Sequence, residues 1–514
     1  MEELGDKLSK LGSKMPEFII AGGDTNTVFS LIDKEGGSSA LKHKAIHAFE
    51  DFKTRYDLID TFRVKSPLSR NYSWETFNPT IIRERIDIIF ASNTLLDHIS
   101  EVGIIPTHLT CSDHGVAYLK IVGKGVPSRG PGIWKFNNML LGEASFKSEM
   151  EKLIPTWINE AEKDLPNERG SQWAYLKFKM GEFCRNFGAK IKKAKQILKQ
   201  NLEKELESLS AQPDNKSIKR YQSLKKELEQ IIDYEVQGSI LRSLCTEYEE
   251  GEKCSNYFFN LEKSKAIQKT ITWLRGSNGN VITDQKSILE ECRLFYKNLY
   301  EKSKNTNQNG DSFLNSINIP KLKQKSQDVC DQNLSEQELL KTLKAFKKNK
   351  SPGLDGLSAE FYLEFWDLIK NKLLEVYDEA YKRGVLPECL TTGVIVLLEK
   401  KGKDRTELAN WRPITLLGVD YKLPTKTLAE RLKTVLPNLI HPDQNGFVPG
   451  GNIFFSTHTI RDILFYCNKE KADLILMALD YTKAFDSVDF GFIHKTFEAF
   501  NFGEQFRKLD QSYI

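Results

Sequence analysis

Between about residues 140 and 265 the chain is heavily charged and helical in pattern, and this tract separates two regions that carry strand-like runs. Apolar residues at Ile191, Ala194, Ile197, Leu198, Leu202 and Leu206 follow a 3.6-residue period, which predicts long helices. The segment AQPDNKS at 211–217 interrupts the pattern with Pro, Asn and Asp, so a hairpin of two helices is expected rather than one rod. A chain of 514 residues also exceeds the length at which a single core keeps growing, so two or three domains are expected.

On the N-terminal side, from Phe18 to about Val122, the runs EFIIAGGD, RIDIIFAS and GVAYLKIVG alternate with polar turns and one helical segment near residues 40–57. That pattern suits an α/β sandwich. The Gly/Pro-rich stretch GKGVPSRGPG at 123–132 marks a boundary. On the C-terminal side, past the polar stretch KSKNTNQNGDS at 302–312, a region from about Asn333 combines helices with the strands GVIVLLEK and DLILMALD. The expected organisation is therefore a first domain at 1–122, a helical connector at 123–332 and a mixed α and β domain at 333–514.

The composition, 40% apolar and 28% charged, is that of a folded chain rather than a disordered one. A net charge of +4 permits a nucleic-acid partner without demanding one, so local clusters such as KIKKAKQILK and SIKRYQSLKK carry that argument. The eight cysteines include no C-x-x-C pair, which argues against a zinc site or a disulfide framework and for a reducing compartment. No stretch approaches the ~20 apolar residues of a membrane span, and the polar N-terminus MEELGDKLSK is unlike a signal peptide. An intracellular protein of nucleus or cytoplasm, without a membrane partner, is expected.

Candidate chemistry gathers at strand ends. Asp24 and Asn26 follow an apolar strand, Asp87 lies in RIDIIF, and Asp113 and His114 precede another strand. Carboxylates, an amide and an imidazole converging on one sheet edge are the groups that phosphodiester hydrolysis uses to hold a hard cation, orient water and meet a charged phosphoryl group. In order, G-D-x-N-T, Y-S-W, R-I-D-I-I and S-D-H resemble the C-terminal half of the endonuclease/exonuclease/phosphatase family, over roughly residues 1–122. The resemblance implies a partial four-layer α/β sandwich. In it Asp24 and Asn26 polarise the attacking water and contact the phosphate, His114 stabilises or orients the phosphoryl group, and Asp87 and Asp113 match the remaining acids, Asp113 also as a metal ligand.

The connector contributes aromatic residues at Trp134, Phe136, Tyr257, Phe258 and Phe259, weighed both as base-stacking platforms and as core. Its segments GIWKFNN at 132–138 and CSNYFFNLEK at 254–263 resemble the linker between nuclease and polymerase in retroelements.

A second constellation begins at Lys350-Ser351-Pro352-Gly353-Leu354-Asp355-Gly356, a turn leading into a helix capped by Ser358 or a neighbour. It continues through GVIVLLEKKGKDRTELANWRPITLL, where Lys400, Lys401, Lys403, Arg405 and Arg412 concentrate positive charge. It ends at MALDYTKAFDSVDF, with Asp480 closing an apolar run and Phe485 just beyond it. Together with H-P-D-Q-N-G-F-V-P-G, these four ordered blocks resemble the fingers and first palm motif of non-LTR reverse transcriptases. The resemblance implies Asp480 as a metal ligand, Phe485 as a sugar gate, and Lys400 and Arg412 as contacts to template or nucleotide. It also implies magnesium or manganese as cofactor, and element RNA, target DNA and deoxynucleotide triphosphates as partners.

Departures temper both resemblances. Thr25 stands where the nuclease family has an aromatic residue, Gly451 where many polymerase relatives have Arg, and no Asp-Asp pair occurs in the sequence. The expectation is a piece of a non-LTR retrotransposon polyprotein, catalytically incomplete in both halves. The alternatives are a non-catalytic RNA- or DNA-binding remnant and a small-molecule phosphatase.

Overall fold

The computed structural model describes residues 18–38, 40–77, 81–107, 112–122, 132–211, 215–243, 270–276, 278–301, 310–481, 486 and 488–513. Helices and strands are mixed, as an α/β multidomain chain requires. Two compact units emerge, one comprising Met1–Ser128 with Ile191–Gln268, the other Arg129–Lys190 with Lys269–Ile514.

In the first unit, β1 (Ile20–Asp24), β2 (Lys34–Glu35), β3 (Leu58–Asp60), β4 (Trp74–Phe77), β5 (Ile81–Glu84), β6 (Asp87–Ser92), β7 (Ile99–Ile105) and β8 (Val116–Ile121) form small antiparallel sheets. β6 lies between β1 and β3, β5 lies between β2 and β4, and β7 pairs with β8. The helix His43–Arg55 buries Phe52 against Leu58, Ile88 and Phe90, so the alternate residues of β6 that face inward meet an apolar helix face.

Between the sheets lies a buried ionic knot. Arg85 donates to Asp33 and Asp60, with Nη2 at 3.1 Å and 2.7 Å from their carboxylate oxygens, and Arg63 joins through Nε at 3.1 Å from Asp33. Arg85 and Asp33 are each 1% exposed. Four charged residues from separate segments, Asp33, Asp60, Arg63 and Arg85, are thereby locked beside the start of β6.

The helical hairpin expected from AQPDNKS is present. One helix ends at Ala211 and the next begins at Asn215, with Leu202 and Leu206 packed against Leu224 and Leu228. The stripe differs from the sequence reading in its first turns, where Ile197 and Leu198 are about half exposed while the stems of Lys195 and Lys199 reach Tyr234 and Glu235 of the second helix. Long lysine stems cover apolar surface while keeping their charge paired, so they compete well for an inward position.

In the second unit, aromatic packing draws the residues after Gly132 into the core. Phe136 stacks edge-on to Phe361 at 5.1 Å, Phe146 meets Phe365 at 6.2 Å, and Trp173 lies 6.3 Å from Tyr362. The helices Ala144–Asp164 and Arg169–Ala211, the latter up to Lys190, thus share a core with Ala359–Glu364 and Trp366–Arg383. The compact units divide the chain after Ser128, Lys190 and Gln268. Phe136 is core rather than a stacking platform, and the segment 254–263 lies outside the described residues.

The helix Glu336–Lys344 opens with a full capping box between Ser335 and Glu338, and Ser358 caps Ala359–Glu364 through the amide of Phe361, as the sequence predicts. The short ladder of β9 (Leu274–Arg275) with β10 (Val281–Ile282) packs Leu274 against Ile288, Leu408 and Trp411. A second ladder pairs β11 (Val394–Glu399) with β12 (Trp411–Leu416). The run DLILMALD is a correction to the sequence reading: residues 473–480 form no strand. A strand exists through its neighbours, and no described strand pairs with this run. Ile475 is 89% exposed and Leu479 78%.

Candidate functional site

Five predicted residues of the first unit converge. β1 and β6 are antiparallel with Asp24 opposite Asp87, so their two carboxylates come from facing strand ends. Beyond Asp24 the chain turns through Asn26 at φ +46°, a left-handed conformation that Asn tolerates. The turn is closed by Asp24, which accepts from the Asn26 amide at 2.8 Å and from its side-chain Nδ2 at 3.1 Å. Thr25 anchors the other side, donating from its amide to the Ile86 carbonyl at 2.8 Å.

His114 reaches the same place from the segment before β8. Its Nδ1 lies 2.9 Å from Oδ2 of Asp87, and its backbone bridges to Trp74 of β4. Ser73 fixes the acid strand from behind, its hydroxyl accepting from the amides of Ile86 and Asp87 at 3.0 and 2.8 Å. Burial alone pulls the imidazole of His114 down. The hydrogen bond to Asp87 and the charges of Asp87, Asp113 and Asp24 outweigh it, so the group titrates above its ordinary value. Asp113 is exposed and accepts from the Ser112 hydroxyl at 3.3 Å. A carboxylate-held imidazole beside further carboxylates is equipped to orient and move a proton.

The polymerase-like residues are arranged differently. Lys400 stands at the turn of the β11–β12 hairpin, its amide donating to Asn410 at 3.0 Å and its Nζ to Ala409 at 2.9 Å. Arg412 is exposed on β12 opposite Leu398, and Arg405 pairs with Glu399 at 2.8 Å while lying over the Trp411 ring. Asp480 is exposed on a segment without secondary structure, and Phe485 lies outside the described residues. Among the described residues no group of three or more His, Cys, Asp or Glu side chains is placed to hold a metal ion.

Sequence reasoning passed over a buried polar nexus in the second unit. Asp420, fully buried, accepts from Trp173 Nε1 at 2.8 Å and pairs with Lys177 Nζ at 2.8 Å. Lys177 also donates to the Cys389 carbonyl at 2.7 Å and stands 3.8 Å from Asp355. Burial, then the charge of Asp420, push the Asp355 carboxyl up to about 6, against the opposing pull of Lys177. The signal in the sequence was only Trp173 and Lys177 at i,i+4, indistinguishable from an ordinary helix face.

Residues 398–514 match the reverse transcriptase (RNA-dependent DNA polymerase) family, a span that starts in β11 and includes Asp480. The "Transposon TX1 uncharacterized 149 kDa protein" of Xenopus laevis is 28% identical over 95% of this chain and 37% of its own length. The "Putative 115 kDa protein in type-1 retrotransposable element R1DM" of Drosophila melanogaster is 32% identical over 18% of this chain and 9% of its own length. The "Retrovirus-related Pol polyprotein from type-1 retrotransposable element R2" of Popillia japonica is 24% identical over 33% of this chain and 23% of its own length. The chain thus spans less than two fifths of each of these relatives. Its sequence belongs with the non-LTR retrotransposon polyproteins and carries a reverse transcriptase domain.

Proposed function

We propose that the chain is a segment of a polyprotein that cuts target DNA and copies element RNA into DNA from the freed end. Its second unit belongs to the RNA-directed DNA polymerase and its first to the nuclease. The observation that carries the polymerase reading is the family match over residues 398–514. Template RNA, a DNA primer end and deoxynucleotide triphosphates are the implied substrates, with Asp480 as a ligand for divalent metal, Phe485 as sugar gate, and Lys400 and Arg412 as nucleic-acid contacts.

For the nuclease reading, the supporting geometry is the His114–Asp87 pair beside Asp24 and Asn26. Asp87 would hold the imidazole through Nδ1, so that the protonated ring donates through Nε2 to a phosphoryl oxygen. The exposed carboxylate of Asp24, fixed by the Asn26 turn, would orient water. Asp113 would add negative charge that keeps His114 protonated.

Extension of a primed RNA template by this chain, by its Asp480→Ala variant and by the longer open frame that contains it tests the polymerase reading. Synthesis that requires Asp480 supports it. Wild-type and Asp480→Ala proteins with equal incorporation, or none from the longer frame, would refute it. Nicking of plasmid DNA that disappears with His114→Ala supports the nuclease reading, and nicking unaffected by that change refutes the assigned role. Nucleic-acid binding without either activity would favour a non-catalytic remnant.

A further inference from the structure

We propose that Lys177 is a positioning residue of the polymerase unit, tying the 350–356 loop to the β12 exit corner so that the exposed lysines at 347–350, at the head of that loop, meet nucleic acid. The inference rests on the reading of the second unit as a reverse transcriptase and adds to it a residue from well before the matched family region.

Three separate segments close on one loop. The Phe136 amide donates to the Gly356 carbonyl at 2.9 Å, Lys135 reaches the Ser351 hydroxyl at 3.0 Å, and Ser358 donates to Asn138 at 2.6 Å. Gly356 sits at φ +75°, and a Cβ there would overlap the Trp134 ring. Gly353 packs so closely on Gly418 that a Cβ would strike its backbone. Into the middle of this junction Lys177 delivers a single ammonium that is 9% exposed and meets Asp420, Asp355 and the Cys389 carbonyl together. Asp420 lies two residues past Gly418, and Tyr377 donates to its carbonyl at 2.7 Å.

Charge makes this junction conditional on Lys177. Two carboxylates share the pocket, and Lys422, half-buried, is the other cation that acts on both of them. Without the ammonium, Asp420 keeps the indole donor, the Tyr421 amide and the charge of Lys422, and the two segments that bear the acids lose the ammonium they share. A cavity of about 270 Å³ opens beside the pair, lined by Lys177, Leu354, Asp355, Cys389, Thr392 and Gly418, which gives the loop room to move once released. Outside the clamp the loop carries exposed Lys347, Lys348 and Lys350, and the hairpin turn carries exposed Lys401 and Lys403. Phosphate-binding lysines gain from a fixed backbone because less loop entropy is lost on binding.

The test uses the full chain and three variants: Lys177→Met, Lys177→Arg, and Lys177→Met with Asp420→Asn, which removes both charges of the 2.8 Å pair and leaves Asp355 with Lys422 as the cation that acts on it. Amide hydrogen exchange is read for 350–357 and 417–421, with the helix Gln285–Tyr300 as internal control, and binding of a labelled RNA–DNA template–primer is read by anisotropy. The expected result is exchange at least tenfold faster in both loop segments of the double variant, an unchanged control helix, binding weakened fivefold or more, and partial recovery with Lys177→Arg. Unchanged loop exchange in the double variant, or an equal rise throughout the unit, overturns the proposal. An unaltered chain that binds no template–primer counts against the reverse transcriptase reading, while the exchange data still decide the clamp.

Discussion

Replacing Arg85 with Met is the sharpest perturbation of the first unit, because the residue is buried, charged and immediately upstream of the acid strand. Met approximates the aliphatic stem, so the change removes two sets of charge-assisted hydrogen bonds with little loss of volume. Asp33 retains Arg63, but Asp60 loses the guanidinium held at 2.7 Å and keeps only its backbone cap to Arg63. Breaking a buried ion pair from one side costs about 3–5 kcal/mol. Applied to the opening of β6, that corresponds to amide exchange faster by roughly a hundredfold to a few thousandfold. Exchange mass spectrometry on peptides covering Asp87–Ser92 reads this directly, with the Trp366–Arg383 helix of the other unit as a reference that should not respond. Acceleration below tenfold would show that solvent or Arg63 replaces the lost charge, and the picture of a knot that fixes Asp87 would fail. Adding Asp60→Asn to Arg85→Met should recover part of the protection, since an amide is cheaper to bury than an unpaired carboxylate.

The contribution of the His114–Asp87 pair is fully present below the ordinary histidine pKa and is lost as pH rises through the elevated folded value. Asp87→Asn should therefore move the His114 titration, followed by NMR, to lower pH, and an unmoved titration would refute the pairing. Glu338, bonded to Arg431 through both oxygens at 2.9 and 2.8 Å, is held down at about 2 by that hydrogen bond. Its contribution is present above about 4.5 and lost as pH falls toward 2, so Arg431→Met should abolish the acid-dependent loosening of Glu336–Lys344 seen by hydrogen exchange. Leu206→Ala, at a fully buried position between the hairpin helices, should cost about 2–5 kcal/mol in the opening energy of that hairpin, and a cost under ~1 kcal/mol would mean that the two helices are not packed as described.

The convergence of the first unit's acids with His114 was legible because these residues sit at or beside strand ends. Asp24, Asn26, Asp87, Asp113 and His114 gather as their positions suggest, although the sandwich expected around them is represented here by three small sheets. The hairpin was legible from one Pro-Asn-Asp interruption, yet its buried face was misjudged at Ile197 and Leu198, since periodicity does not weigh a lysine stem against an isoleucine. The DLILMALD strand failed for a different reason: local sequence states a preference, and pairing partners decide whether it is realised. The Lys177–Asp420 pair was illegible in principle, because its members are 243 positions apart and each looks like a solvated helix residue on its own.

The unpaired run at 473–481 has a consequence for handling the molecule. It presents Ile475, Leu476, Met477, Leu479 and Tyr481 to solvent, each at least 66% exposed. Six consecutive apolar residues with no internal charge, at 474–479, form the sort of segment that recruits an identical segment from another chain. Aggregation should therefore rise steeply with concentration and start at this run. A lysine or proline in place of Met477 would act as a gatekeeper and suppress it without touching either buried core.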